Sequence, residues 1–247
     1  MQLTTRERRL LGLDDSHLVG EGGQRLQAPV RRAFERLASD ARAAGFDLRV
    51  ASAYRSFERQ LALWNGKLCG ERPVLDDADQ PVNLAALSPR SRIDCVLRFS
   101  ALPGASRHHW GTDLDVFDAA AMPAGYRLQL SMAEVSGDGL FVPLHAWLDE
   151  QIAAGRSHGF FRPYDRDRGG VAPERWHLSY APLALPLQEM LGAELLRAAW
   201  RVAPAAAGML LRETVEEALE DILERFVARV GNPPEQVLAG IDGGVRT

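Results

Sequence analysis

Two short segments of this chain, widely separated in sequence, carry side chains of the types that bind zinc in proteins. Residues 106–115 read SRHHWGTDLD, and residues 174–177 read ERWH. Together they offer two imidazoles and a carboxylate as metal ligands, and a glutamate that is not needed as a ligand. Three protein ligands leave one coordination position for water, and a nearby carboxylate can take that water's proton. A fold that brings the two segments together would therefore have the inventory of a zinc hydrolase.

The spacing within the first segment predicts a turn followed by a strand. His108 and Asp115 are seven residues apart, with Gly111 between them. A turn at the glycine can direct both side chains to one point. His109 competes with His108 as a ligand, and its alternative role is a hydrogen bond to a ligand or to substrate.

The second segment works as part of a site only if the chain bends before its strand. Glu174 and His177 would point to opposite faces of a straight strand. They can cooperate if Glu174 lies just before the strand and turns inward, and Pro173 favours that break. The sequence contains no His-Glu-x-x-His motif, which excludes a zinc site of that type on one helix.

The remaining histidines and the cysteines have ordinary interpretations. His17, His145 and His158 are expected to be core or surface residues without a ligand role. Cys69 and Cys95 are too few for a disulfide framework or a sulfur-ligated zinc site. We expect two buried or unpaired thiols, and a disulfide between them would matter only in an oxidising compartment.

Hydrophobic periodicity predicts a mixed α+β chain. Helices are expected over residues 28–45, 56–64 (with Ser56 as N-cap), 88–96 and 143–154, and strands over 47–52, 112–117 and 175–180. From residue 187 the chain reads as mostly helical, with a break near Pro204 and an amphipathic helix over 214–230. We therefore predict a core domain, residues 1–186, and a helical C-terminal extension, residues 187–247, packed on it.

The motifs resemble those of a known family. Ser-x-His-x-x-Gly-x-x-x-Asp followed by Glu-x-Trp-His is similar to the VanY/VanX-type D-alanyl-D-alanine carboxypeptidases and dipeptidases, members of the LAS group of zinc peptidases. Tyr54-Arg55-Ser56 followed by Gln60 is similar to the Tyr-Arg-Ser-x-x-x-Gln element of that family. The three motifs occur in the family's order and cover about residues 28–182. The resemblance implies a small antiparallel sheet that carries a zinc site and is flanked by helices.

The resemblance also implies roles for single residues. It implies one zinc ion with the ligands His108, Asp115 and His177, and it implies Glu174 as the general base that later protonates the leaving amine. Arg55 would stabilise the oxyanion or hold the substrate. The implied substrate contacts are Ser106 and Gln60, on the terminal residue, together with Tyr54 and Trp176.

Two features depart from the family pattern. Asp113 stands where the family often has a small apolar residue, and strand alternation puts it on the same face as Asp115. It could hydrogen-bond a ligand or face away. The weakly patterned stretch over residues 66–105 is long for a connection in a compact domain, and it could form a lid or a specificity wall.

The implied activity is zinc-dependent hydrolysis of the bond next to a C-terminal D-amino acid in peptides of the peptidoglycan type. The alternatives are a D-Ala-D-Ala dipeptidase or a peptidoglycan endopeptidase, and the choice between D,D and L,D substrates stays open. A zinc-containing binding module without turnover is a further alternative. Glu174 argues against it, because a pure binding site does not need a base.

Charge and hydropathy exclude other partners. The net charge of −4 argues against nucleic-acid binding, and no apolar run is long enough to cross a bilayer. The charged N-terminal residues do not resemble a signal peptide. We therefore expect a cytoplasmic protein, or a periplasmic one if a leader has been removed, with a peptidoglycan-derived peptide as its substrate.

Overall fold

The computed structural model describes residues 2–243, in which helices surround a small antiparallel sheet. In chain order the elements are α1 (Thr5–Leu10), β1 (Leu18–Val19), β2 (Leu26–Gln27), α2 (Ala28–Ala43), β3 (Leu48–Ser52), α3 (Phe57–Leu68), α4 (Pro89–Leu97), β4 (Asp113–Asp118), α5 (Met132–Val135), α6 (Val142–Ala153), β5 (Phe160–Phe161), β6 (His177–Tyr180), α7 (Ala181–Met190), α8 (Ala193–Val202), α9 (Arg212–Glu217), α10 (Leu219–Ile222) and α11 (Glu235–Gly243). The predicted α+β class, with a small antiparallel sheet flanked by helices, is confirmed.

The main sheet joins the two sequence segments. Its strands run in the order β3-β4-β6-β5, and each neighbouring pair is antiparallel. Asp115 of β4 lies opposite His177 of β6. Directly opposite residues of antiparallel strands point to the same face, so this register sets the two side chains next to each other. The long-range pairing of β4 with β6 is thus the feature of the fold that assembles the site.

Apolar side chains form two main clusters. One joins α2 and α6 to the sheet and includes Leu37 and Leu114. The other joins α1, α3 and α4 to the helices after α7 and includes Trp64 and Trp200. The C-terminal helices therefore share a hydrophobic core with α3, the helix that follows the Tyr-Arg-Ser element.

The C-terminal helices are also tied to the rest of the chain by buried polar contacts. The indole N–H groups of Trp64 and Trp200 donate to the carbonyls of Leu210 and Pro103, each at 3.0 Å. The predicted division between residues 186 and 187 falls inside α7. Its outer limits, residues 1 and 247, lie outside the described residues, and the division stays a prediction.

Most predicted elements are found within a few residues of their expected limits. The predicted helix 28–45 is α2, and the strand 47–52 is β3. The helix after Ser56 is α3, and the Ser56 hydroxyl caps it by accepting from the N–H of Arg59 at 3.2 Å. Helices also occupy the predicted places as α4 and α6, and strands as β4 and β6.

The prediction of one continuous helix over residues 214–230 was wrong. The backbone breaks at Ala218 (φ −108°, ψ 12°), between α9 and α10, and residues Leu223–Ala228 then form a π-helical segment. Apolar spacing predicts which face is buried, but it does not report a change in the number of residues per turn. Such π-helical turns widen the helix and redirect side chains.

Some short elements were not predicted. The helix α1 begins with a capping box, in which the Thr4 hydroxyl accepts from the N–H of Glu7 and the Glu7 carboxylate accepts from the N–H of Thr4. The Thr-x-x-Glu spacing is the sequence signal for it. The strands β1, β2 and β5 have two residues each, too few for a periodic pattern.

Two further observations bear on the sequence predictions. Cys69 is exposed, Cys95 is half-buried, and both are free thiols, as expected. Among residues 2–243, no helix combines the length and the apolar character that crossing a bilayer requires.

Candidate active site

The three predicted ligands come together where β4 pairs with β6. One ligand atom from each of His108, Asp115 and His177 lies within 4.8 Å of the others, and all three residues are buried. Nε2 of His108 is 3.5 Å from Oδ2 of Asp115, and Nδ1 of His177 is 3.2 Å from Oδ1 of Asp115. Two imidazoles and a carboxylate at these separations form a three-ligand metal set.

Gly111 allows the first segment to turn into β4. His108 lies in a 3₁₀ turn over Arg107–Trp110, and Gly111 ends this turn in the left-handed region at φ 65°. A Cβ atom at this position would lie 2.4 Å from Cδ2 of Leu18. The left-handed conformation therefore favours glycine, and any larger residue would also have to displace the Leu18 side chain.

Hydrogen bonds leave one ring nitrogen of each histidine ligand pointing into the site. Nδ1 of His108 is 2.7 Å from the carbonyl of Ala53, and Nε2 of His177 is 3.0 Å from Oδ1 of Asp113. A proton on each of these nitrogens leaves Nε2 of His108 and Nδ1 of His177 as the free lone pairs. Partners of this kind fix the orientation and the tautomer of metal-binding histidines.

Unsatisfied buried atoms support a metal at this place. Nδ1 of His177 and Oδ1 of Asp115 are buried and form no hydrogen bond, although they lie 3.2 Å apart. Buried polar atoms normally have a partner. A cation bound between them would satisfy both, so the residues present fit a metal ion.

Asp113 is held behind His177 by several donors. Its side chain is fully buried and accepts from Nε of Arg107 at 2.7 Å and from the hydroxyl of Thr112 at 2.6 Å. Burial raises the pKa of Asp113, but Arg107 and His177 outweigh it and hold that pKa well below its usual range. Of the two roles considered for this carboxylate, the structure shows the hydrogen bond to a ligand.

Glu174 lies just before β6, in the place that the sequence predicted. The N–H of His177 donates to the Glu174 carbonyl at 3.2 Å, which closes a turn ahead of the strand. The Glu174 carboxylate is 14% exposed, and its Oε2 is 3.7 Å from Nδ1 of His177. Burial raises the pKa of Glu174 to about 7, against the opposite influence of His177. A carboxyl group near its pKa at neutral pH can both accept and return a proton.

Burial and neighbouring charges act differently on the two histidine ligands. Burial lowers the pKa of His108 to about 4, so this ring is neutral and ready to bind a metal. Burial also lowers the pKa of His177, but Asp113 and Asp115 raise it to about 9. A metal must displace that proton, so metal binding is expected to weaken as pH falls.

Hydrogen bonds of both its backbone and its side chain hold Arg55 in place. Its N–H donates to the carbonyl of His108 at 3.1 Å, and its Nη1 donates to Oε1 of Gln60 at 2.8 Å. Gln60 is fully buried, and its own Nε2 donates to the carbonyl of Ala101 at 2.6 Å. Gln60 therefore orients Arg55 and does not line the cleft, where a substrate contact had been predicted.

Tyr54 and His109 also face away from the cleft. The Tyr54 hydroxyl donates to the carbonyl of Gly12 at 3.3 Å. His109 is fully buried, with Nδ1 2.6 Å from the Arg55 carbonyl, and its Nε2 accepts from the N–H of Gly104 at 3.1 Å. His108 is thus the histidine that joins the metal set. The structure does not bring Tyr54 to the predicted substrate side.

The metal set opens into a cleft of about 640 Å³. Its lining includes Arg55, Ser106, Glu174 and Trp176, which the motifs singled out. The long stretch 66–105, expected to form a lid or wall, contributes side chains to the lining. They include Lys67, Leu75 and Phe99.

Parts of the cleft come from residues that the sequence did not single out. Residues 129–133 line one part, and Gln188, Phe226 and Val227 line another. Phe226 carried no signal beyond an apolar position on a helix. Gln188 did carry a sequence signal, because it is a polar residue in the otherwise largely apolar sequence APLALPLQEM of α7.

Comparison with known proteins gives a family match and two curated relatives. A family model described as VanY, D-alanyl-D-alanine carboxypeptidase, matches residues 23–183. Two uncharacterised proteins of Haemophilus influenzae are similar. One is 36% identical over 128 residues, which cover 51% of this chain and 92% of that protein. The other is 39% identical over 98 residues, which cover 38% of this chain and 67% of that protein.

Solved structures with related folds are more distant. A vancomycin resistance D,D-pentapeptidase VanY in complex with Zn(II) is 24% identical, with a TM-score of 0.47, over 70% of this chain and 84% of that one. VanYB in complex with D-alanine-D-alanine is 21% identical, with a TM-score of 0.48, over 82% and 89%. The LD-carboxypeptidase LdcB is 18% identical, with a TM-score of 0.49, over 74% and 78%.

Proposed function

Because the chain belongs to the VanY family of D-alanyl-D-alanine carboxypeptidases, we propose that it releases a C-terminal D-amino acid from peptides of the peptidoglycan type. The observation that carries this proposal is the convergence of His108, Asp115, His177 and Glu174 on one cleft. Family membership makes the chain a peptidase, and this arrangement supports a particular assignment of roles to its residues.

We assign the metal site to a single zinc ion. Nε2 of His108, Nδ1 of His177 and a carboxylate oxygen of Asp115 would hold it, and such a mixed nitrogen and oxygen set with an open position is typical of catalytic zinc. When bound between these residues, zinc would supply a Lewis acid that polarises the scissile carbonyl and lowers the pKa of water. Asp113 keeps the His177 ring in the tautomer that presents Nδ1.

Glu174 has the properties of the proton carrier. Its carboxylate lies beside the metal set, and burial brings its pKa to about 7. In the ionised form it would accept a proton from the attacking water, and it would then donate that proton to the leaving amine. One carboxyl group can thus serve both halves of the hydrolysis.

The substrate side is assigned to three residues of the lining. Arg55 lines the cleft, its backbone N–H contacts the carbonyl of the ligand His108, and a guanidinium stabilises an oxyanion through directed hydrogen bonds. Ser106 and Trp176 line the same cleft and would contact the terminal residue. The volume of about 640 Å³ is in the range of sites for drug-sized ligands, which favours a longer peptide over a free dipeptide.

Mass spectrometry of reaction products tests this proposal. The zinc-loaded protein is incubated with D-Ala-D-Ala and with tri-, tetra- and pentapeptide stems, and a chelator-treated sample serves as the control. We expect loss of one C-terminal D-residue from the longer stems and none after chelation. Cleavage of the free dipeptide alone would show a dipeptidase, and internal cleavage would show an endopeptidase. Absence of any cleavage would contradict the assignment.

A further inference from the structure

Two cations line the cleft without an anionic partner from the protein. Arg55 and Lys67 both contribute to the lining. Within residues 2–243, neither has a carboxylate oxygen within 4.0 Å, whereas Arg107 of the same cleft pairs with Asp113. Arg55 donates to the neutral amide of Gln60. A cation in a partly dehydrated cleft without a counter-charge is unfavourable until an anion arrives.

Lys67 is placed by α3, the helix that also carries Gln60. It is the last residue but one of that helix, and its side chain is half-buried. Burial lowers the pKa of Lys67 to about 8, while the charge of Glu174 raises that pKa and the charges of Arg55 and Arg72 lower it. The ammonium group thus experiences the charges of the active site, although it makes no ion pair there.

The carboxylates of the cleft have other partners or other roles. Asp115 belongs to the metal set, and Glu174 lies against His177. Asp79 also lines the cleft, but it forms no ion pair with Lys67 at 4.0 Å or less in the part of the chain that the structure describes. The charge of Lys67 is therefore available to a ligand.

We propose that Lys67 binds the free C-terminal carboxylate of the peptide, which leaves Arg55 to the oxyanion. This inference rests on the proposed function and deepens it. Lys67 would be the residue that makes the cleft select a chain end over an internal peptide bond. A hydrogen bond between two charged groups is stronger than one between neutral groups, and an amidated chain end would not form it.

Direct binding measurements test the role of Lys67 independently of turnover. The ligands are an N-acetylated peptide ending in D-Ala-D-Ala and its C-terminal amide, titrated by calorimetry into the zinc-loaded Glu174→Gln variant. We expect the acid to bind about 10- to 100-fold more tightly than the amide. Adding Lys67→Met should remove this preference, and Lys67→Arg should preserve most of it. Arg36→Met, which changes an exposed cation on α2 outside the cleft lining, is the matched control.

The possible results of these titrations distinguish failure of the Lys67 proposal from failure of the carboxypeptidase proposal. An unchanged acid-to-amide ratio in Lys67→Met, with zinc content and melting temperature preserved, would overturn the role of Lys67 even if the enzyme releases D-alanine. A ratio that depends on Lys67, in a protein that cleaves no stem peptide, would support Lys67 and contradict the carboxypeptidase proposal. Failure of both ligands to bind would overturn the inference.

Discussion

Asp113 accepts a hydrogen bond from Nε2 of His177 at 3.0 Å, on the side of the ring away from the metal set. The same carboxylate is paired with Arg107, which also donates to the hydroxyl of Ser179 at 2.7 Å. The ring of His177 is thus held from behind by a charged and fully buried network. This arrangement fixes which nitrogen of His177 faces Asp115 and Glu174.

Replacing Asp113 should weaken metal binding. The variant Asp113→Asn keeps the shape of the side chain but removes its charge, so the His177 ring becomes a poorer ligand. Loss of such a partner typically lowers metal affinity by about 10- to 100-fold. Competition with a chromophoric chelator measures the affinity. Asp118→Asn, on the same strand but outside the metal set, should leave it unchanged, and equal affinities in all three proteins would refute the role of Asp113.

Gln188 should couple the C-terminal helices to this network. Its Nε2 donates to the carbonyl of Val227 at 2.8 Å, and its Oε1 accepts from Nη1 of Arg107. In Gln188→Leu both groups lose a partner, which should lower the free energy of unfolding by about 1–3 kcal/mol. Urea denaturation measures this loss. The neighbouring exposed change Glu189→Gln should have little effect, and an equally small effect of Gln188→Leu would count against the coupling.

His145 should make stability depend on pH. It is fully buried, and burial lowers its pKa to about 2, with Arg162 and Arg175 acting in the same direction. In the unfolded chain the pKa is near 6.5, so below that pH the unfolded state binds a proton that the folded state does not. The stabilising contribution present above pH 6.5 is therefore lost as pH falls towards 2. Between pH 6.5 and 5 the loss amounts to about 2 kcal/mol.

Comparison with His145→Gln isolates this effect. Urea denaturation at pH 7.5 and pH 5.0 should show a smaller pH dependence for the variant than for the wild-type protein. The variant also loses the weak contact with Arg162, so its stability is compared with itself across pH and not directly with the wild type. The same pH dependence in both proteins would mean that His145 is not the group responsible.

Residue types and spacing predicted the local geometry of each segment, whereas the choice of His108, Asp115 and His177 as ligands was implied by the family resemblance. The turn at Gly111 and the break before β6 follow from residue types and spacing, and the structure places His108, Asp115 and Glu174 accordingly. The pairing of β4 with β6, which brings the segments together, was implied only by the family resemblance.

Other parts of the cleft depend on contacts between residues far apart in sequence. Gln60 and Tyr54 share a motif with Arg55, yet their side chains point to Ala101 and Gly12. Neither partner can be identified from spacing. Phe226 and Val227 reach the cleft from the π-helical segment, which apolar periodicity had predicted as part of a regular α-helix. Local pattern thus predicts the turn and the chain break that present the ligands, whereas tertiary packing determines which residues line the cleft.

The central claim is that Glu174 moves the proton while the three ligands hold zinc. The most direct test measures the rate of D-alanine release from a pentapeptide stem and the zinc content in the same samples. The proteins are the wild type, Glu174→Gln and Glu150→Gln, the last an exposed change on α6. We predict that Glu174→Gln retains one zinc ion and releases D-alanine about 10²- to 10⁴-fold more slowly, while Glu150→Gln matches the wild type. Undiminished release by Glu174→Gln, or slow release that merely follows loss of zinc, would contradict the account.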